Sequence, residues 1–372
     1  MKKDIRILQL GKFYPIRGGV EKVMWDLASG LCERGVHCDM LCATTGDPCE
    51  VDFPGTGGGK CICLGAWFMA AATMISPAMV TWMRKHCNEY DIIHIHHPDP
   101  MACLALRLSG YKGPVVLHWH SDIIRQKGLL KLYMPLQKWL VGRACRIVGT
   151  TPVYVAQSPH LAGVQKKVGF LPIGIKDDIA RPGRESAGMD GMKEVFALGR
   201  LVSYKGFRYL LEAVRDLTDD YRVVIGGEGP LLNELETLVE SLGLEGKVRL
   251  EGRLSEEQVR EHFNSCAVFV LPSVMKTEAF GIVQLEAMSC GKPVVATTIE
   301  GSGTHWVNRD GVSGLNVPPA DPAMLAWAIH DICSDSGRYL SFCKGARQRY
   351  EELFTYDKMI DGAIGIYEDV IK

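Results

Sequence analysis

Two successive runs of short apolar strands alternating with amphipathic helices constrain this chain more than any other feature. The first run predicts strands at 5–10, 39–43, 60–64, 92–95, 115–119 and 146–149. Between the first two, Val20, Val23, Met24, Leu27 and Leu31 share one helical face, and Gly35 stands just past its end. The second run predicts strands at 195–198, 222–225, 248–250, 268–271 and 294–296. Its helices begin after Lys205, after Gly229-Pro230, at the capping box Ser255-Glu256-Glu257-Gln258, and at Asp321-Pro322. Alternation of this kind requires parallel sheets covered by helices, an α/β fold. A stretch rich in Gly, Pro and charge, 171–192, reads as a linker between two doubly wound, Rossmann-like domains, 1–175 and 176–355. In such folds ligands meet the carboxyl ends of the strands, here expected in a cleft between the domains.

Charge is uneven. Residues 1–175 hold 20 Lys+Arg against 12 Asp+Glu, net +8, and residues 176–372 hold 22 against 31, net −9. The total is −1, so nothing global favours nucleic acid; a basic half beside an acidic half favours an anionic surface or substrate. The 13 cysteines are odd in number, scattered and without a C-x-x-C pair, which reads as buried thiols in a reducing cytoplasm. The start M-K-K-D-I-R-I-L-Q-L runs into a strand without a signal-peptide core. Segment 61–83 carries no charge, but Gly65, Ser76 and Pro77 interrupt it. It reads as a strand, an apolar loop or short helix around Trp67, Phe68 and Met69 that could touch membrane, and a core helix opened by Ser76-Pro77.

The chemistry concentrates in 272–297, P-S-V-M-K-T-E-A-F-G-I-V-Q-L-E-A-M-S-C-G-K-P-V-V-A-T. A strand feeds a loop ending at Glu278, a helix is expected from about Phe280 to Cys290-Gly291, and a second strand follows. Glu278 and Glu286 lie eight positions apart, roughly 12 Å if helical rise applied throughout. The helix N-terminus between them suits phosphate. Ala279 and Gly281 allow backbone to approach a ligand closely. Two carboxylates flanking an anion site fit a ligand with hydroxyls at both ends and a diphosphate in the middle, the shape of a nucleotide sugar.

Other clusters agree. Arg200 and Lys205, in L-G-R-L-V-S-Y-K-G after a strand, form a diphosphate clamp of one fork and one point charge. No D-x-D loop or metal-spaced His/Cys cluster accompanies them, so no metal or other cofactor is expected. Gly18-Gly19 opens a helix without the G-x-G-x-x-G fingerprint, which disfavours a nicotinamide dehydrogenase. His118 and His120 share one strand face, with His120 at the carboxyl end. His94, His96 and His97 read as a strand and its exit rather than a zinc site. Segment 123–146 holds six cations and no acids among Leu, Tyr, Met and Trp, a pattern for membrane-surface contact.

These motifs together resemble the retaining family 4 glycosyltransferases of GT-B fold over nearly the whole chain, most closely the bacterial surface-polysaccharide mannosyl- and rhamnosyltransferases. The resemblance implies that the last helix, 356–372, crosses back to the first domain. It implies a first domain that binds acceptor, often lipid-linked, and a second that binds the nucleotide-sugar donor, GDP-mannose or a UDP-sugar. Glu278 would face the donor sugar; Phe280, Gly281 and Ile282 would present amides; Glu286 would bind ribose hydroxyls. Arg200 and Lys205 would stabilise the leaving diphosphate, His120 and Gly18-Gly19 would face the donor, and Gly227, Arg253 and Leu254 would line the nucleoside pocket. The sequence departs from the family after Thr297, where I-E-G-S-G-T-H-W-V-N replaces a Gly-rich turn and Glu before Asp310-Gly311. The expectation is a cytoplasmic, metal-independent transferase, peripheral on the inner face of the plasma membrane. An alternative is an epimerase or isomerase acting on the nucleotide sugar; a non-catalytic sugar-binding protein is a third.

Overall fold

The computed structural model describes residues 5–16, 18–70, 73–123, 127–180 and 191–372. The chain forms two compact units, Met1–Ile173 with Tyr356–Lys372, and Gly174–Thr355.

The first unit holds strands β1 (Arg6–Phe13), β2 (His37–Thr44), β3 (Cys49–Asp52), β4 (Lys60–Gly65), β5 (Phe68–Ala70), β6 (Thr73–Ile75), β7 (Ile92–His97), β8 (Val115–Trp119), β9 (Arg146–Gly149) and β10 (Val168–Phe170). Eight of them make one sheet in the order β10-β9-β8-β7-β1-β2-β4-β3. All neighbours in it are parallel except β3, which runs antiparallel to β4. The central strands are buried along almost their whole length, as a sheet covered on both faces requires.

Segment 61–83 differs in one piece from its reading. The apolar stretch after β4 is an antiparallel hairpin, β5 with β6, rather than a loop or helix. Trp67, Phe68 and Met69 on it are 77%, 53% and 51% exposed. Pro77 does open a helix, Pro77–His86, but Ser76 does not cap it with its side chain. Its hydroxyl donates instead to the Gly65 carbonyl at 2.7 Å, tying the helix to the end of β4.

The second unit holds β11 (Lys193–Leu198), β12 (Tyr221–Gly226), β13 (Val248–Gly252), β14 (Val268–Leu271), β15 (Val294–Thr297) and β16 (Gly314–Val317). They form one parallel sheet in the order β13-β12-β11-β14-β15-β16. Strand order therefore reverses between β11 and β14, the topological switch point of a doubly wound sheet. The capping box at Ser255 and Gln258 forms, and the Asp321 carboxylate caps Met324 N–H. The edge strand β16, short and glycine-led, carries no pattern that separates it from a loop.

The last helix, Tyr356–Ile371, packs in the first unit. Arg34 holds its start through Asp357 at 2.6 Å and Asp361 at 2.8 Å. Gly30 makes room for it: a Cβ there would meet Tyr356 Oη at 2.8 Å and crowd Ile360. Within the linker, 181–190 lies outside the described residues. Of the remainder, 171–173 belong to the first unit, and from Gly174 the stretch belongs to the second: Ile175 bridges to Thr355 and Asp177 pairs with Arg347 at 2.6 Å.

Candidate functional site

The loops leaving β11, β12 and β14 converge at the switch point of the second sheet, and glycines let them. A Cβ at Gly227 (φ +134°) would collide with the Gly199 carbonyl, and one at Gly206 (φ +70°) with the Pro272 carbonyl. Backbone bonds complete the weave: Gly199 N–H donates to Gly226 O at 3.0 Å, Leu201 N–H to Glu228 O at 2.9 Å, and Val274 N–H to Tyr204 O at 2.8 Å. These positions are where only glycine permits both the dihedral and the approach.

At the centre Lys205 meets Glu278. Its Nζ lies 2.6 Å from Glu278 Oε2, and both residues are only 9% exposed. Gly199 (φ +157°) allows the lysine stem to cross it, since a Cβ there would sit 3.2 Å from Lys205 Cε and Nζ. Ser273 Oγ donates to the same carboxylate oxygen at 3.1 Å, and Ser302 Oγ donates to the Glu278 carbonyl at 2.5 Å. A buried charge survives only when paired and hydrogen-bonded, and this pair is both. Sequence reasoning found Lys205 and Glu278 but not the two serines; S-V and S-G in loops carry no distinguishing signal.

The rest of the motif is placed as follows. Gly281 adopts φ +76°, and a Cβ there would lie 2.6 Å from Leu271 Cδ2 and 2.8 Å from Gln284 Nε2. Gln284, fully buried, donates from Nε2 to the Phe280 carbonyl at 3.0 Å. Phe280 is buried edge-on against Phe354, Ala279 and Ile282 are half-buried, and Ala279 O accepts from Gly303 N–H at 2.9 Å. The helix is Val283–Ser289, starting three residues later than expected because left-handed Gly281 interrupts it. Helical rise therefore governs only the last three steps from Glu278 to Glu286, and the 12 Å estimate does not apply. Glu286 is half-buried in the first turn. Arg200 and Arg253 are exposed, and the Arg200 guanidinium has no partner among the described residues. Leu254 packs under the β12 end, where a Cβ at Gly226 would meet its Cδ1 at 2.5 Å.

The first unit brings a different set to its strand ends. Gly18 and Gly19 are exposed at the start of the helix Gly19–Glu33. Gly18 is extended (φ −160°), so its backbone does not demand glycine; a Cβ there would meet Glu21 Oε2 at 2.9 Å. Glu21 accepts backbone hydrogen bonds from Gly18 and its own amide, and burial raises its pKa. With a carboxylate already on these amides, this end suits a hydroxyl better than a phosphate. Lys12, just beyond Gly11, was not anticipated. It is left-handed (φ +62°) and 9% exposed, and it donates from Nζ to Pro98 O at 2.5 Å and from its amide to Asp99 Oδ2 at 2.5 Å. Burial lowers its pKa, against the opposing pull of Asp99 and Glu21.

His120 follows β8 directly and is 4% exposed. Register places Gln9 beside His94, and His96 beside His118, so four imidazoles and one amide share a sheet face. His118 stacks on His120 at 4.0 Å with an 11° tilt. Burial drives His94, His96 and His120 well below the ordinary imidazole pKa and pushes His118 down to about 3. All four are neutral at pH 7. One ring nitrogen from each of His94, His96 and His118 lies within 4.8 Å of the other two, a grouping not foreseen because His118 comes from another strand. A cation there would have to displace one of two existing bonds of His96, to His120 or to Gln9. On the other sheet face His97 stacks on Trp119 at 3.8 Å.

Comparison with known proteins gives the family. Residues 17–178 match the family described as Glycosyltransferase Family 4, and residues 184–349 the family described as Glycosyl transferases group 1. The chain is 31% identical to the O-antigen chain mannosyltransferase C of Escherichia coli, covering 99% of each. It is 32% identical to the D-rhamnosyltransferase WbpZ of Pseudomonas aeruginosa, over 94% of this chain and 92% of that one. Among solved structures, Anabaena Alr3699/HepE in complex with UDP and glucose superposes with a TM-score of 0.75 at 19% identity, over 98% of this chain and all of that one.

Proposed function

The chain belongs to family 4 of the group 1 glycosyltransferases, with the GT-B fold, and from that premise we propose that it is a retaining enzyme of cell-surface polysaccharide assembly. The observation that carries the site is the buried Lys205–Glu278 pair at the switch point of the second sheet. The donor is a nucleotide diphosphate sugar, GDP-mannose or a UDP-sugar, bound by the second unit. Its diphosphate lies on Arg200 and Lys205, its sugar hydroxyls on Glu278, and the amides of Phe280, Gly281 and Ile282 face sugar and phosphate. Glu286 takes the ribose hydroxyls, and Gly227, Arg253 and Leu254 flank the nucleoside. The mannosyl- and rhamnosyltransferase names of the relatives support a hexose or deoxyhexose donor, and the O-antigen chain in one of them supports a glycan acceptor, which we take to be lipid-linked.

In the reaction an acceptor hydroxyl oxygen bonds to the anomeric carbon as the bond from that carbon to the β-phosphate oxygen breaks. The departing phosphate oxygen takes the hydroxyl proton, on the same face of the ring, so configuration is retained. Arg200 and Lys205 stabilise the charge that develops on the diphosphate, the part a metal plays elsewhere. Lys205 is pre-aimed by Glu278, which lowers the reorganisation needed when the donor arrives. Burial lowers the pKa of His120 well below the ordinary imidazole value and makes it a poor base, so its role is to contact the reacting sugar, not to remove a proton.

The first unit takes the acceptor. The helix Lys127–Arg143 exposes Lys131, Leu132 and Lys138, with Leu132 79% exposed. With Trp67, Phe68 and Met69, these side chains supply apolar and basic groups for an anionic lipid surface. Among the described residues no helix is long and apolar enough to cross a membrane.

The test is incubation of the full chain with GDP-mannose and UDP-sugars, with and without a lipid-linked glycan and with EDTA. Acceptor-dependent release of nucleoside diphosphate and an α-linked product from an α-linked donor are expected, unaffected by EDTA. Conversion of the donor to another nucleotide sugar without acceptor would establish the epimerase reading instead.

A further inference from the structure

A continuous hydrogen-bonded chain runs behind His120 and uses residues far apart in sequence. His120 Nε2 lies 2.8 Å from His96 Nδ1. His96 Nε2 lies 2.7 Å from Gln9 Oε1. Gln9 Nε2 donates to the Tyr367 hydroxyl at 3.0 Å, and that hydroxyl lies 2.6 Å from His94 Nδ1. All five residues are at most 4% exposed. Tyr367 comes from the last helix, 358 positions from Gln9 and 273 from His94.

Polarity propagates along such a chain. A neutral imidazole has one N–H and one lone pair. Burial holds His96 and His120 neutral, and holds the Tyr367 hydroxyl protonated. Gln9 Oε1 can only accept, so His96 carries its proton on Nε2. His96 Nδ1 must then accept, so His120 donates from Nε2 and its Nδ1 is bare. At the other end Gln9 donates to Tyr367, which donates onward to His94 Nδ1. The amide, with Oε1 toward His96 and Nε2 toward Tyr367, sets the direction of every bond. His120 Nδ1 has no partner among the described residues.

We propose that Gln9, His96 and Tyr367 are positioning residues that lock the proton of His120 on Nε2, so that Nδ1 meets substrate as an acceptor and selects a sugar hydroxyl over a phosphate oxygen. This rests on the reading that His120 contacts the donor sugar. A phosphate oxygen would need a donor at Nδ1, and the chain denies one. The arrangement also gives the buried glutamine its role: its Oε1 orients His96, and through it His120. Strand register alone would place His120 there but would leave its tautomer free.

The experiment is long-range 1H–15N correlation on the full chain labelled with 15N-histidine, with His120 assigned by its loss in His120→Gln. Wild type is expected to show His120 protonated at Nε2 and bare at Nδ1. Gln9→Met removes the anchor and should give a mixture of tautomers, with kcat down about tenfold and donor KM within about twofold, the loss of roughly one hydrogen bond. Tyr367→Phe should shift the tautomer and kcat in the same direction by less, and it serves if Gln9→Met melts too low to assay. A wild-type proton on Nδ1, or an unchanged tautomer in both folded variants, overturns the proposal. Wild-type transfer by His120→Ala would instead sink the donor-contact reading, while the spectrum still decides the network.

Discussion

The carboxyl edges of the two sheets solve the same problem with opposite chemistry. The second sheet ends in charge: a lysine and a glutamate 2.6 Å apart, Arg200 five residues before the lysine with no partner among the described residues, and glycines that let three loops interlock. The first presents neutral rings: four buried imidazoles, polarised by a glutamine and a tyrosine, with Lys12 and Asp99 as the buried charged groups near them. Charge suits the end of the donor that is itself charged and whose charge grows during bond cleavage. Neutral, oriented acceptors suit hydroxyls, which a full charge would bind without discriminating direction. The difference teaches that burial alone does not define the site. Burial with a paired charge makes an electrostatic clamp, and burial without charge makes a directional contact.

The sharpest way to break this comparison is at the clamp. Lys205→Ala or Glu278→Ala should lower kcat by about 10²–10³-fold with the protein still folded, the scale for removing one preorganised stabiliser of a developing anion. Steady-state transfer assays beside melting curves check it; near-normal turnover in both would remove the clamp from the mechanism. Next is the glycine weave. Gly227→Ala must push the Gly199 carbonyl aside at φ +134°, and should cost about 2–4 kcal/mol, read as a lower midpoint in denaturant.

The two units should also respond to acid in opposite senses. His118, held at about 3 by burial, stays neutral when the unfolded chain protonates near 6.5. Its folded value is depressed, so below 6.5 the unfolded state binds the extra proton and stability falls. The loss is roughly 1.4 kcal/mol per pH unit for each such histidine. Hydrogen exchange at pH 7.5 and 5.5 should show the first unit loosening on acidification, and His118→Leu should flatten that dependence. His262 in the second unit behaves in reverse. It lies 2.8 Å from Glu194 and 3.0 Å from Glu251, and their hydrogen bonds raise its pKa above the ordinary 6.5. Its contribution is complete below the unfolded value and is lost as pH rises through the raised folded one. His262→Gln should therefore lower stability at pH 5.5 and change little at high pH, the smallest effect of the set because the ring is partly solvated.

Much of this was legible beforehand. Strand periodicity showed both sheets, because a strand buried on two faces must be apolar throughout. Lys205 and Glu278 could be named because they stand in G-R-x4-K-G and E-x7-E, which follow strands, where ligands bind in parallel sheets, and match the motifs of the resembling family. The helix start at Val283 was misplaced because E-A-F-G-I-V is apolar enough to continue a helix, and only the left-handed turn at Gly281 stops it. The β5–β6 hairpin was missed because exposed aromatic residues imitate a core segment. Lys12 was overlooked because a lysine beyond a strand reads as surface; its burial arises from Pro98 and Asp99, 86 and 87 positions away.

By itself, then, the order of residues determined the central strands of both sheets, most of the helices between them and which loops carry charge, since periodicity and turn chemistry are local. It placed Gln9 in a strand and Tyr367 in a helix without relating them. Only tertiary packing decided that these two meet, that His118 joins His94 and His96, and that Lys205 closes on Glu278. The reason is physical: hydrogen bonds and ion pairs act over about 3 Å, and neighbours at that range are set by sheet order and register, which many sequences of the same pattern leave open.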